Sequence, residues 1–281
     1  MSEVRLGTAL REAQRQIEPL DARVLLCHVT GRSAAYLIAH SEMALGAAQH
    51  AKYAGLVRRR AAGEPVAYLT GEREFYGRTF NVTPSVLIPR PETELLVELV
   101  LERIPRDAPA HVLELGTGSG CVALTIVSER SHVEVVACDQ SLAALQVAAS
   151  NARTLGAERV RFIHSDWFAS LDGERFAMVI SNPPYVADLD PHLLEGALRF
   201  EPQSALVAGV DGLDCIRAIV AGAGDHLVPG GWLMLEHGHD QAAAVGLLME
   251  AHGYDEVFSA PDLAGIARVS GGRLTMPAGD R

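Results

Sequence analysis

The spacing of apolar positions changes twice along the chain. At the start, Leu6, Leu10, Ala13 and Ile17 recur at helical intervals, and a second apolar run (Val24, Leu25, Leu26, Val29) stops at Gly31. A further helix is expected over about Ala47 to Arg60, closed by Gly63-Glu64-Pro65. Between Tyr68 and Ile88 the pattern shortens. Phe75, Phe80 and Val82 flank a turn at Gly77, which predicts a short hairpin bridging two domains. Pro89-Arg90-Pro91-Glu92-Thr93-Glu94 then opens a helix, with proline early and acids in the first turn.

After Ala110 strand-like and helix-like stretches alternate. The predicted strands are His111 to Leu115, Val133 to Cys138, Arg161 to His164, Phe176 to Ser181 and Trp232 to Glu236, with apolar helical stretches such as Leu142 to Leu155 and Ile216 to Leu227 between them. Buried strands separated by helices imply an α/β fold with a doubly wound, mainly parallel sheet. Late strands near Tyr254 to Phe258 and Ile266 to Ser270 would add an antiparallel edge. The domains expected are 1–70 (helical, substrate-docking), 71–88 (hairpin linker) and 89–281 (catalytic).

Composition narrows the classes. With 281 residues, 48% of them hydrophobic, the chain can bury one large core and a small accessory one. It has no apolar run of bilayer length, and charges fall among Met1 to Leu10, so a soluble, cytoplasmic protein with no membrane partner is expected. Cys27, Cys121, Cys138 and Cys215 are too scattered for a disulfide frame or a zinc site. A net charge of −11 opposes a broad nucleic-acid footprint. Lys52 is the only lysine, which removes a phosphate-gripping Gly-Lys-Ser/Thr loop and makes an ATPase a poor fit. Arg58-Arg59-Arg60 reads first as a solvated helix end favoured by the helix dipole and second as a patch for an acidic partner.

Candidate chemistry collects at strand ends. Gly116-Thr117-Gly118-Ser119-Gly120 follows the first strand, where ligands of such sheets bind and glycines admit close backbone approach. Cys121 stands where a dinucleotide fingerprint places its third glycine or alanine, so glycines at alternate positions fit better the amino-acid part of S-adenosylmethionine. Asp139 ends the second strand and is placed to accept ribose hydroxyls, with a helix N-cap as the plain alternative. Ser165-Asp166-Trp167 ends the third and offers a flat surface for adenine, with Trp167 as plain core the alternative. The fourth delivers Asn182-Pro183-Pro184-Tyr185 to the same rim. Two prolines fix the backbone and donate no hydrogen bonds, so the Asn182 oxygen and the Pro183 carbonyl can accept both protons of a planar –NH2 group, with Tyr185 setting its plane.

These residues resemble the class I S-adenosylmethionine-dependent methyltransferases that carry an Asn/Asp-Pro-Pro-Tyr motif. Ile88 to Glu94, Gly63-Glu64-Pro65-x-Ala67-Tyr68, Ser165 to Phe168, Phe200-Glu201-Pro202 and Asp262-Leu263-Ala264-Gly265-x-x-Arg268-Val269 are similar to the bacterial release factor glutamine methyltransferases. The resemblance implies a Rossmann-like sheet, S-adenosyl-L-methionine as cofactor (S-adenosyl-L-homocysteine as product), and methylation of the glutamine amide in the Gly-Gly-Gln loop of peptide chain release factors. It implies cofactor contacts at Gly116 to Gly120, Asp139, Trp167 and Asn182, substrate contacts at Asn182, Pro183, Pro184 and Tyr185, and no metal. It also implies that the N-terminal helices dock the release factor. Phe200-Glu201-Pro202 and Glu236-His237 are expected at the rim, with His237 packed rather than ligating. A ribosomal-protein glutamine methyltransferase shares these motifs. A nucleic-acid amino methyltransferase lacks support from the acidic balance, a nicotinamide oxidoreductase has no use for Asn182 to Tyr185, and a non-catalytic module gains nothing from keeping them.

Overall fold

In the computed structural model, which describes residues 4–275, the chain divides into two units: Met1–Glu72 with Leu194–Phe200, and Arg73–Leu193 with Glu201–Arg281. The first unit is helical. A strand pair, β1 (Val4–Arg5) with β2 (Ala44–Leu45), accompanies α1 (Leu6–Ala13), α2 (Pro19–Thr30), α3 (Ala34–Ala39), α4 (Ala47–Ala61) and α5 (Val66–Thr70). Leu6, Leu25, Leu26, Leu37, Tyr53 and Leu56 form its core. Gly31 caps α2 in the left-handed region at φ 65°, the stop expected from sequence. Helix α1 ends at Ala13, short of Ile17; Ile17 packs on the same core from the following turn, which prolongs the apparent periodicity. Tyr68 lies in α5, and the next strand begins only after Gly71. The basic run is used internally: Arg59 pairs with Glu64, and Arg60 Nε reaches Asp21 Oδ2 at 2.6 Å, tying α4 to α2. The returning segment 194–200 joins this unit through Arg199, whose guanidinium donates to the Ala62 carbonyl.

The second unit opens with a two-stranded sheet, β3 (Glu72–Phe75) and β4 (Arg78–Asn81). Phe75 and Phe80 are fully buried in this unit's core, and Glu94 Oε1 accepts the Tyr76 N–H at 2.9 Å. A single 3-10 turn (Pro91–Thr93) leads into α6 (Glu94–Arg103). Then follow β5 (Ala110–Leu115), α7 (Cys121–Glu129), β6 (Val133–Asp139), α8 (Leu142–Leu155), β7 (Val160–His164), β8 (Phe176–Ser181), α9 (Asp214–His226), β9 (Leu227–Glu236), α10 (Ala242–Ala251), β10 (Tyr254–Pro261) and β11 (Ala267–Leu274).

The seven-stranded sheet has the order β10-β11-β9-β8-β5-β6-β7. Strands β7, β6, β5, β8 and β9 pair in parallel, and β11 lies antiparallel between β9 and β10. Alternate residues of the central strands feed opposite cores, as the two-residue period of a strand requires. Val112, Met178, Ile180 and Met234 pack with α6 and α7. Leu113, Leu115, Val179, Leu233 and Leu235 pack with α9 and α10. Strand order reverses between β5 and β8, so a crevice opens beyond their carboxyl ends.

One side chain braces the loops around that crevice. Asn151, on α8 and 1% exposed, accepts the Asn81 N–H at 2.8 Å and donates to the carbonyls of Asn81 at 3.0 Å and Ser119 at 2.9 Å. Truncation would strand the buried Ser119 carbonyl and the two half-buried backbone groups of Asn81, so Asn151→Ala is expected to lower unfolding stability by about 2–4 kcal/mol. A lower urea midpoint at unchanged m-value checks this; a midpoint equal to wild type would show that the brace carries no load.

Candidate active site

Register sets the site. Leu115 of β5 lies opposite Cys138 of β6 and Ser181 of β8, and Ser181 lies opposite Leu235 of β9. Gly116, Asp139, Asn182 and Glu236 are therefore successive strand continuations at one level. Cross-links hold the level: Ser181 Oγ donates to the Leu115 carbonyl at 2.7 Å, Thr117 N–H to the Cys138 carbonyl at 2.9 Å, and Ser165 N–H to the Asp139 carbonyl at 3.1 Å. Beyond them lies a cavity of about 310 Å³, within the size of small-molecule sites.

Gly116, Thr117, Gly118, Ser119, Asp139, Trp167, Asn182 and Pro184 line this cavity; Gly120, Pro183 and Tyr185 do not. Gly120 begins α7 at φ 80°, and a Cβ there would sit 3.0 Å from Leu124 Cδ1 and 3.1 Å from Ala148 Cβ. Its side-chain absence lets α7 and α8 close behind the loop. Asp139 Oδ2 accepts the Gly118 N–H and Oδ1 the Ser141 N–H, at 2.9 and 2.8 Å. Each carboxylate oxygen keeps lone pairs for a further donor. The N-cap of α8 is Ser141, not Asp139. Burial raises the Asp139 pKa, and those two backbone N–H groups pull it back. Trp167 adopts φ 44°, a left-handed conformation uncommon for an aromatic residue. Ser165 Oγ holds that turn, donating to the Trp167 carbonyl at 2.8 Å and accepting the Ser170 N–H at 3.1 Å. Trp167 both lines the cavity and packs on the α9/α10 core.

The tetrapeptide is braced from behind. Asn182 Nδ2 donates to Thr93 Oγ1 at 3.0 Å, and Tyr185 Oη donates to Glu236 Oε1 at 3.3 Å. Gln241 Nε2 donates to the Tyr185 carbonyl at 3.1 Å, while its Oε1 accepts the Gly238 N–H at 2.8 Å. Glu201, which is buried, accepts the Ile88 N–H at 3.0 Å and pairs with Arg90 at 2.5 Å. It thereby fixes the 86–90 wall, of which Val86, Leu87, Pro89 and Arg90 face the cavity. Of the residues expected at the rim, Pro202 lines the cavity, Phe200 belongs to the first unit, and Glu236 lies buried behind Tyr185. His237 is fully buried, its Nδ1 at 2.8 Å from the Gly238 carbonyl and Nε2 at 2.8 Å from Ser270 Oγ.

Thr93 and Glu114 escaped the sequence reading as site residues, although an acid inside the apolar run Val112 to Leu115 was a visible signal. Glu114 Oε2 accepts Thr117 Oγ1–H at 2.6 Å and the Ala123 N–H at 3.2 Å, joining β5, the glycine loop and α7. Burial pushes its carboxyl up to about 8 against the pull of those two donors. Among the described residues, no group of three His, Cys, Asp or Glu is placed to hold a metal, and no helix is long and apolar enough to cross a membrane.

Residues 5–71 match the family model described as the PrmC N-terminal domain, and residues 92–198 that of the methyltransferase small domain. A release factor glutamine methyltransferase of Burkholderia pseudomallei is 55% identical over 264 residues, covering 92% of this chain and 93% of its own length. The chain belongs to the release factor glutamine methyltransferase family. A further member, from Xylella fastidiosa, is 48% identical over 264 residues, with 94% and 96% covered. The solved structure of a methyltransferase from Pyrococcus furiosus shares the fold at a TM-score of 0.55 and 16% identity, covering 78% of this chain and 98% of its own. The second unit is thus a class I methyltransferase domain, and the family's cofactor is S-adenosylmethionine. The cavity suits that cofactor: a glycine loop at a helix start, the half-buried Asp139 carboxylate and the Trp167 indole converge on one space of adequate size.

The buried acid beneath the family's glycine loop gives a pH signature. A carboxyl raised from 4.5 to about 8 on folding binds more protons in the native state, so its contribution falls as pH rises through that window. Glu114→Gln should flatten the decline in melting temperature between pH 5 and 8, by roughly 3 °C or more at the upper end. Parallel pH curves for variant and wild type would rule this out.

Proposed function

We propose that this protein transfers the methyl group of S-adenosylmethionine to the side-chain amide nitrogen of the glutamine in the Gly-Gly-Gln loop of peptide chain release factors, in the cytoplasm, with no direct contact to nucleic acid or membrane. Family membership supports the substrate, and one observation supports the chemistry. Asn182 commits its Nδ2 to Thr93 and faces the cavity shared with the glycine loop, so its Oδ1 is the end left to accept from an incoming –NH2 group. Bound S-adenosylmethionine supplies a sulfonium methyl that needs alignment more than activation.

Gly116 to Ser119, Asp139, Trp167 and Asn182 would hold the cofactor, with Gly120 closing the loop onto α7 from behind: the loop by its backbone, Asp139 by its remaining lone pairs, Trp167 by its ring face. Asn182 Oδ1 and the Pro183 carbonyl accept the two amide protons, orient the nitrogen lone pair and stabilise the positive charge that grows on it. Pro184 walls the cavity, while Tyr185 acts from behind, where its ring and hydroxyl fix the backbone of the motif. Alignment of this kind is worth on the order of 7–11 kcal/mol of barrier. The helical unit, residues 1–70 in this reading, would dock the release factor; exposed Leu20, Ile38 and Met43 offer it apolar contacts.

The test is transfer of label from S-adenosylmethionine to purified release factor, ribosomal protein or DNA. Label is expected on the release factor alone and is lost when its Gly-Gly-Gln glutamine becomes alanine. Asn182→Ala should cut transfer by roughly 100-fold or more while cofactor affinity stays within a few-fold. Label on ribosomal protein or DNA at equal rate would reject the assignment.

A further inference from the structure

Gln241 stands at the N-cap of α10, where a serine, threonine, asparagine or aspartate would cap the helix, yet its side chain makes no capping bond. The amide is buried and turned toward the tetrapeptide instead. Its Nε2 lies 3.1 Å from the Tyr185 carbonyl, 3.3 Å from that of Gly212 and 3.4 Å from that of Asp211, while Oε1 accepts the Gly238 N–H at 2.8 Å. Backbone groups have fixed polarity, so one orientation of the amide alone suits this site, and its shortest donor contact goes to Tyr185. Gly212 packs against the same carbonyl: at φ 72°, a Cβ there would collide with the Tyr185 oxygen and stand 2.9 Å from Gln241 Nε2. Neither Gln241 nor Gly212 lines the cavity.

Such a clamp matters because the sheet stops short of the motif. The pairing of β8 ends at Ser181, so the backbone torsions of Asn182 lie outside the ladder, and only its side chain is tied, to Thr93. Proline rings fix φ at 183 and 184, and the second proline confines Pro183 to extended geometry. The diproline is therefore a stiff lever on a loose pivot: a small rotation at Asn182 would swing the Pro183 carbonyl and the Pro184 wall together. The far end prevents it. The peptide joining Tyr185 to Val186 is gripped on both edges, its carbonyl by Gln241 and its N–H by the Leu206 carbonyl at 2.8 Å. The phenol of Tyr185 adds a longer contact, 3.3 Å to Glu236. We propose that Gln241 is a positioning residue for methyl transfer: by holding the Tyr185 carbonyl against Gly212, it aims the Pro183 carbonyl at the acceptor amide.

The proposal rests on the substrate-holding role given to the tetrapeptide above. It separates turnover from stability, because position 241 also heads a helix. Gln241→Asn puts a preferred capping residue there while leaving a side chain one methylene too short to reach from Gly238 to Tyr185. Helix α10 then keeps or improves its start, and the clamp is lost. Gln241→Met keeps the length and removes both hydrogen-bonding ends. Gly212→Ala leaves Gln241 intact and pushes the Tyr185 carbonyl off its seat.

Steady-state kinetics with release factor, calorimetry with S-adenosylmethionine, thermal melts and amide hydrogen exchange of the full chain test the clamp. Each variant should lower kcat by roughly 10- to 100-fold, the loss that a misplacement of about 1 Å brings to an aligned reaction, with cofactor Kd within two-fold. In Gln241→Asn the melting temperature should stay at or above that of wild type while kcat falls, and this variant decides the matter if Gln241→Met or Gly212→Ala does not fold. Independently of any substrate, the Val186 amide should exchange faster in Gln241→Asn than in wild type, while amides of β5 keep their protection. Wild-type kcat in Gln241→Asn, losses of kcat that only follow losses of melting temperature or cofactor affinity, or Val186 exchange that ignores Gln241 would overturn the clamp. If Val186 exchange responds as expected but the wild-type chain leaves release factor unlabelled, the assigned substrate is overturned instead.

Discussion

Parallel pairing fixes where each strand stops relative to its neighbours, and the rest of the second unit depends on that levelling. Because Leu115, Cys138 and Ser181 share one register line, the residue after each emerges at the same height: Gly116, Asp139 and Asn182. The line continues through Leu235, so Glu236 joins them. A shift of one residue in any pair would turn that strand's side chains to the opposite core and withdraw its contribution to the crevice. Burial of the two apolar faces therefore enforces the geometry of the polar rim. The energy that specifies the site is stored in Val112, Leu113, Val179 and Leu233, none of which touches the cavity.

Strand ends alone would leave loose loops, and a second tier of polar side chains removes that freedom. Asn151 ties the β4 strand and the glycine loop to α8, Gln241 holds the Tyr185 carbonyl, and Glu201 holds Ile88 and Arg90. Each is buried, and each satisfies backbone groups in or beside the core. Glu114 and Glu236 are costlier, since burial drives both carboxyls well above their ordinary range. Native domains are only marginally stable, so two such acids within one layer of the rim are a substantial concession. Each accepts a hydroxyl at the rim, Glu114 that of Thr117 at the loop and Glu236 that of Tyr185 behind the tetrapeptide.

The fold is shared far more widely than the substrate. A protein only 16% identical has the same architecture over 78% of this chain, which says that a doubly wound sheet with a crevice at its switch point is reachable by many sequences. The tetrapeptide is similarly general: its acceptors suit any flat –NH2 group, an adenine amine as well as a glutamine amide. Relatives at 55% and 48% identity over nearly the whole chain carry the distinction, because they match the helical unit as well as the sheet.

The sequence by itself determined the α/β class, the antiparallel edge, the stop of α2 at Gly31 and the four strand ends that carry Gly116, Asp139, Trp167 and Asn182. Those features follow from local periodicity, from glycine and proline geometry, and from the habit of parallel sheets to bind at their carboxyl ends. Short elements were not legible: α3 and α5 span 6 and 5 residues, too few for a period to declare itself. The end of α1 was misplaced because Ile17 keeps the spacing while leaving the helix. Tertiary structure alone decided that Tyr185 stands behind the cavity, that Gly120 serves the packing of α7 on α8, and that Thr93 and Glu236 meet the motif from positions 89 residues before and 51 residues after the ones they touch. A hydrogen bond between residues so far apart leaves no mark on local composition. It exists only once the sheet has set its register and the buried polar groups have had to find each other.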